Sequence, residues 1–202
     1  MEDKLNGKSS PCGDDPLAEK YCVFLDFLRL KMVEHQLKAR GIKDRRILDA
    51  MSKICRHAFV PEGMGARAYD DYEFPLCGGR TVQRPYMIAL ALQSLSLRGG
   101  EEVLELDAGY GYQTAVLSLL VKTVYAVESI DELRNEAEKK TAGYNIRNAF
   151  FLKSVPEKKF DAVISSGKFT DYDDKISGLL KTGGKLLSLS NDGNAFEIYV
   201  ND

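Results

Sequence analysis

Gly109 and Gly111 stand just after the apolar run Val103-Leu104-Glu105-Leu106 and just before a stretch that opens on Tyr112 and Gln113 with helical character. Glycines at a strand-to-helix turn let the backbone approach a ligand where a side chain would collide, and the helix start presents free amides there. Glu128 follows Gly109 by 19 positions, at the predicted end of the next strand, where it can accept hydrogen bonds from two ribose hydroxyls. The order strand, glycine turn, helix, strand, acid is that of a site for an adenosine-type cofactor. The plainer alternative is a structural turn with a surface glutamate. Asp107, directly before the turn, can accept from a cofactor's amino group while repelling its carboxylate.

The elements that hold these residues follow from periodicity. Residues 1–20 mix Gly, Ser, Pro, Asp and Lys with almost no apolar pattern, the composition of a flexible tail. Phe24, Phe27, Leu28, Met32, His35 and Leu37 then recur at helical spacing until Gly41 stops them. Asp44 is a suitable N-cap for a second helix to about Ile54, with Ile47, Leu48 and Met51 on one face. Pro61, Gly63 and Gly65 mark a loop, and residues 69–85 read as irregular with a short strand at 74–76. Loops of such length tend to be functional. An apolar helix over 86–97 is closed by Gly99 and Gly100. The remainder alternates: strand 103–106, helix 113–121, strand 123–128, helix 131–141, strands 149–152 and 162–165, and a helix over 173–181 ended by Gly183-Gly184. A hairpin of 185–190 and 195–200 closes the chain.

Composition removes several classes. The 202 residues carry 28 Lys and Arg against 30 Asp and Glu, a net charge of −2, so nothing draws the chain as a whole to a phosphate backbone. The basic residues are not clustered, and no nucleic-acid partner is expected. The apolar stretch at 21–30 is interrupted by Asp26 and Arg29 and is too short to span a bilayer, so neither a membrane segment nor a signal peptide is expected. Cys12, Cys22, Cys55 and Cys77 form no Cys-x-x-Cys pair, and only His35 and His57 are available to join them. That argues against zinc and for free thiols in the cytoplasm. His57 reads as a packed, hydrogen-bonded residue. Residues 171–174 read as a solvated helix start, and Tyr69, Asp70, Asp71 and Tyr72 either line a cleft or form an exposed acidic loop.

Topology narrows the cofactor. A dinucleotide fold needs a turn that cradles a pyrophosphate and a second mononucleotide half; here Thr114 stands at the third fingerprint position and the chain ends on a hairpin. S-adenosylmethionine, which carries no phosphate, suits the turn better, and the methyltransferase sheet that binds it ends with an antiparallel strand. The fold expected is α/β: a Rossmann-like methyltransferase sheet with helices on both faces, a terminal β-hairpin and an N-terminal helical extension.

The runs Met32-Val33-Glu34-His35-Gln36-Leu37-Lys38-Ala39-Arg40-Gly41-Ile42, Arg56-His57-Ala58-Phe59-Val60-Pro61 and Gly79-Arg80-Thr81-Val82-Gln83-Arg84-Pro85-Tyr86 resemble the protein-L-isoaspartate O-methyltransferases. So do Gly109-Tyr110-Gly111-Tyr112-Gln113-Thr114-Ala115, Val124-Tyr125-Ala126-Val127-Glu128 and Leu180-Lys181-Thr182-Gly183-Gly184-Lys185-Leu186, in the same order along residues 32–200. The resemblance implies methyl transfer from S-adenosylmethionine to the α-carboxylate of isoaspartyl residues in damaged proteins, whose ester closes to a succinimide that can hydrolyse to aspartate. It implies Thr81 and Gln83 as catalytic positions, and Asp107, Gly109, Gly111, Tyr112, Gln113 and Glu128 as cofactor contacts, with no metal. Residues 1–20 would be a tail, 21–98 a region over the acceptor, and 99–202 the cofactor-binding core. A carboxylate is already ionised near neutral pH, so orientation and exclusion of water matter more than acid or base.

The chain departs from the family pattern at specific points. Gln83 replaces a serine, Asp107 a glycine and Tyr110 a small residue, while the segment from Lys153 is short and lacks an acid. Residues 165–170 lack the family's alanine-rich run. Arg80 and Arg84 flank the acceptor loop, where either can pair with a carboxylate. These departures leave two further readings open: a catalytically impaired relative serving as a cofactor-binding or interaction module, and a methyltransferase for another acceptor.

Overall fold

The computed structural model describes residues 16–165, 176, 178–189 and 196–201. Among these residues the strands are β1 (Phe74–Pro75), β2 (Thr81–Val82), β3 (Glu102–Leu106), β4 (Thr123–Val127), β5 (Ala149–Leu152), β6 (Phe160–Ser165), β7 (Leu180–Leu189) and β8 (Phe196–Val200). The α-helices are α1 (Pro16–Lys31), α2 (Arg45–Lys53), α3 (Pro85–Leu95), α4 (Tyr112–Ser118) and α5 (Asp131–Ala142).

Strands β3 to β8 form one sheet in the order β5-β4-β3-β6-β7-β8, parallel throughout except for β8, which runs antiparallel to β7. The chain winds from β3 outward through β4 to β5, then returns to the other side of β3 with β6. The order therefore reverses between β3 and β6, and a crevice beyond their carboxyl ends is where such sheets bind ligands. The turn after β3 opens there. Strands buried on both faces are written as apolar runs. Val103, Val124, Ala126, Ala162 and Ile164 pack in the large cluster with Val116 and Leu120 around α4 and with Ile88 and Leu92 of α3. Leu104, Leu106, Val127, Val163 and Leu186 point into a second, smaller cluster with Phe160, Leu180 and the helical residue Ile176.

The N-terminal helical extension is present, with local differences. Pro16–Lys31 is already helical, so α1 takes in the last residues of the expected tail; residues 1–15 lie outside the described set. The single helix expected up to Gly41 changes pitch, running as a π-helix over Met32–Leu37 and a 3-10 turn over Lys38–Arg40 before Gly41 ends it at φ 96°. Met32 and Leu37, five apart, are both buried, and the wider turn brings both to the core. The side chain of Asp44 caps α2 by accepting from the Arg46 amide at 2.9 Å, as expected.

The helix expected over 173–181 needs correction at its end. Leu180 and Lys181 belong to β7, and residues 173–175 lie outside the described set. Gly183-Gly184, which resembled a helix stop, lies within β7: the register jumps from Phe160↔Leu180 to Ala162↔Lys185. Gly183 has φ 75°, and a Cβ on Gly184 would fall 2.7 Å from the Lys181 carbonyl oxygen, so the irregularity requires glycine. The hairpin strand expected over 195–200 appears as β8; its turn lies outside the described residues. Cys55 and Cys77 are free, but Cys22 is disulfide-bonded, against the free-thiol expectation. Among the described residues, no helix is long and apolar enough to cross a membrane.

Candidate cofactor and acceptor site

The turn after β3 takes its shape from backbone geometry. Asp107, Gly109 and Gly111 all have positive φ, at 58°, 56° and 81°. The two glycines adopt this region freely, whereas aspartate is merely tolerated there. A Cβ on Gly109 would lie 3.1 Å from Leu76 Cδ1 and 3.6 Å from the Thr81 carbonyl oxygen, and one on Gly111 would press on Phe151 and Ala137. The turn is thus squeezed between α5 with its neighbouring strand and the segment carrying Leu76 and Thr81. Helix α4, opened by Gly111, has only seven residues, so its dipole adds little.

Glu128, one residue past β4, has no exposed surface and faces the turn. Its Oε2 accepts from the Gly109 amide at 3.0 Å and from Arg80 Nε at 3.2 Å, and its Oε1 accepts from the Ile130 amide at 3.0 Å. The Arg80 guanidinium also lies 2.8 Å from Asp107 Oδ1 and donates to Ser129 Oγ at 3.3 Å. Burial pushes the Asp107 carboxyl up; Arg80 opposes that and Glu128 adds to it. Sequence reasoning placed Arg80 beside the site as a carboxylate partner. The structure shows that the carboxylates it meets are the protein's own.

Strand β2 pairs with β1 and carries Thr81; Gln83 follows directly. The buried Arg56 fixes this segment, donating to the carbonyls of Ala68 at 2.8 Å, Tyr72 at 3.1 Å and Val82 at 3.4 Å. Its burial lowers the guanidinium pKa to about 10. Thr81 and Gln83 line a cavity of about 10 Å³ with Tyr112, Gln113, Ala108 and Tyr110, so the expected acceptor and cofactor residues do meet. A void of that size holds about one water.

Two expected cofactor contacts spend their side chains elsewhere. The Tyr112 ring packs 5.7 Å from Phe59 with its hydroxyl buried and unpartnered, and burial raises its pKa to about 12. Gln113 Nε2 donates to Glu105 Oε1 at 3.2 Å, and Thr114 Oγ1 donates to Glu105 Oε2 at 2.6 Å. Glu105 is the residue that sequence reasoning missed as a site element. It is fully buried, and burial raises its pKa to about 8 against the pull of those two donors. A lone acid inside Val-Leu-Glu-Leu was the available signal.

The other expectations resolve in turn. His57 Nδ1 lies 2.8 Å from the Tyr69 hydroxyl, in a packed position as expected. Asp71 pairs with Arg40 and accepts from the Tyr86 amide at 3.3 Å at the start of α3; Asp70 and Tyr72 beside it are exposed, as the loop reading expects, while Tyr69 is buried. No group of three or more potential metal ligands occurs among the described residues.

The residues present fit an adenosine-type cofactor: a turn whose positive φ at Gly109 and Gly111 leaves bare backbone at the end of β3, and the buried Glu128 carboxylate resting on the Gly109 amide. The sequence matches the family described as "Protein-L-isoaspartate(D-aspartate) O-methyltransferase (PCMT)" over residues 29–187. A protein-L-isoaspartate O-methyltransferase of Geobacter metallireducens is 40% identical over 168 residues, covering 80% of this chain and 78% of that protein. The enzyme named protein-L-isoaspartate O-methyltransferase 2 from Geotalea uraniireducens is 41% identical over 169 residues, covering 81% and 78%. Among solved structures, a protein-L-isoaspartate O-methyltransferase superposes with a TM-score of 0.70 at 25% identity over 79% of this chain and 54% of that one. A Plasmodium falciparum structure, titled a putative enzyme of that name in complex with S-adenosyl-L-homocysteine, shares the fold at a TM-score of 0.70 and 22% identity, covering 85% and 88%. Because the match takes in the Thr81–Gln83 segment, the glycine turn and Glu128 together, and extends over most of both chains in these bacterial relatives, this chain belongs to the protein-L-isoaspartate O-methyltransferase family.

Proposed function

We propose that the chain methylates the free α-carboxylate of isoaspartyl residues in damaged proteins, as a step of protein repair. The observation that carries this reading is the meeting of the Thr81–Gln83 segment with the glycine turn, whose Gly109 amide rests on the buried Glu128. S-adenosylmethionine, when bound, supplies the electrophilic methyl group. Glu128 and the backbone at Gly109 and Gly111 would hold its adenosine part, with Asp107, Tyr112 and Gln113 completing the wall.

The acceptor carboxylate is already an anion, so the protein's task is to orient one oxygen and keep water out. The Thr81 hydroxyl and the Gln83 amide are the donors available for that orientation. Gln83 is 9% exposed and its Oε1 accepts from the Arg84 amide at 3.0 Å, so its Nε2 would be the group that donates to the acceptor. In this reading residues 21–98 would cover the acceptor side and the core from residue 99 onward would hold the cofactor. The partners in this reading are isoaspartyl proteins and peptides. The free thiols of Cys55 and Cys77 go with work in the cytoplasm, and the Cys22 disulfide stands against it; fractionation decides between them.

The test is transfer of labelled methyl from S-adenosylmethionine to an isoaspartyl peptide beside its aspartyl isomer. Label confined to the isoaspartyl peptide is expected. Equal labelling of both would point to another acceptor. Label in neither would favour the catalytically impaired reading.

A further inference from the structure

Of the three donors on Glu128, two are backbone amides fixed by the chain, at Gly109 and Ile130, and the third is the guanidinium of Arg80 on a rotatable side chain. Ribose hydroxyls would have to reach the same carboxylate, and an ionised carboxylate offers only about four acceptor directions. The guanidinium stands where they must arrive. The residue after Arg80, Thr81, lines a cavity of only about 10 Å³ with Gln83, Ala108 and Tyr112. A Cβ on Gly78 would fall 2.3 Å from Ile130 Cδ1, so the segment that leads into Arg80 is packed directly onto the residue whose amide binds Glu128.

We propose that Arg80 is a resident competitor for the ribose site, so that cofactor binding exchanges a guanidinium for ribose hydroxyls at Glu128. This rests on the reading of Glu128 as the ribose-binding residue. The second half of the Arg80 fork makes the exchange workable. Nη2 reaches Asp107 at 2.8 Å and Ser129 at 3.3 Å, so the side chain can release Glu128 while keeping an anionic partner. The pair with Asp107 also offsets a negative charge that would otherwise face the cofactor's carboxylate. Asp107, a departure from the family pattern, and Arg80 thus act as one unit. The affinity of the free protein for any ribose-bearing ligand is lowered by the fraction of molecules in which Arg80 holds Glu128.

Calorimetric titration with adenosine, which has the ribose but no carboxylate, isolates the exchange. With Arg80 on Glu128 in about nine molecules of ten, Arg80→Gln tightens adenosine binding about tenfold and leaves the affinity for 2′,3′-dideoxyadenosine unchanged. Arg80→Lys, a compact charge without the fork, gives a smaller gain and serves should the glutamine variant not fold. The ligand-free Arg80→Gln protein melts at a lower temperature, because two neighbouring carboxylates lose their shared cation, yet gains more from added adenosine. Unchanged, weaker or undetectable adenosine binding in Arg80→Gln overturns the competitor role. Failure of the underlying reading has a different signature: wild-type protein would bind adenosine and its dideoxy analogue alike, and Glu128→Gln would bind both as wild type does.

Discussion

Glu105, within β3, and Glu128, just past β4, flank the same glycine turn, and neither exposes any surface. Their partners differ. Glu105 is served by a hydroxyl and a side-chain amide, Thr114 and Gln113, both on the helix that follows the turn. Glu128 receives two backbone amides and the guanidinium of Arg80. Neutral donors do not make up for lost hydration, and the Glu105 pKa rises to about 8, so near neutral pH it is largely a protonated, structural group tying strand to helix. The other carboxylate sits in an ion pair at 3.2 Å with a side chain that can leave. Equal burial therefore yields a strut in one case and an exchangeable site in the other, and the donors decide which.

Truncating the strut should have the largest effect. Glu105→Ala leaves Gln113 and Thr114 without an acceptor and opens a cavity, and is expected to cost about 3 kcal/mol of unfolding free energy in a denaturant titration. A loss under about 1 kcal/mol would break the comparison. Glu128→Ala acts on binding: affinity for S-adenosylhomocysteine should fall by about 1.5 to 3 kcal/mol, the range for hydrogen bonds to a charged group. Unchanged affinity would mean that Glu128 is no more a ligand site than Glu105.

The finest test uses pH. With a folded pKa near 8 above its reference of 4.5, Glu105 binds more protons in the native than in the unfolded state between these values. Its contribution is fully present below about pH 4.5 and is lost as pH rises toward about 8. Glu105→Gln, a neutral isostere, should alter stability at pH 5 by less than about 1 kcal/mol and flatten the decline above it. A parallel decline in both proteins would assign the titration to another group.

Much of the core was legible because its signals are local. β5 lies at the expected residues, and β3, β4, α2 and α5 agree to within a residue or so, since apolar runs, caps and glycine stops act over a few positions. Failures came where distant chain decides. Gly183-Gly184 reads equally well as a helix stop or as a strand irregularity, and only the neighbouring β6 settles that it is the latter. Strand β2 exists because β1 and the carbonyl-binding Arg56 hold it, neither of which two residues of sequence can announce.

The site divides along the same line. The glycine turn, its helix and Glu128 follow from strand-turn-helix order, which is fixed by backbone sterics and periodicity. That much the sequence determined by itself, along with the family. That Arg80 spans Asp107 and Glu128, that Gln113 and Thr114 converge on Glu105, and that Arg56 ties three loop carbonyls together were decided only by the tertiary structure. Polar partners far apart in sequence are chosen by which donors burial brings within about 3 Å of an acceptor, and no local pattern records that distance.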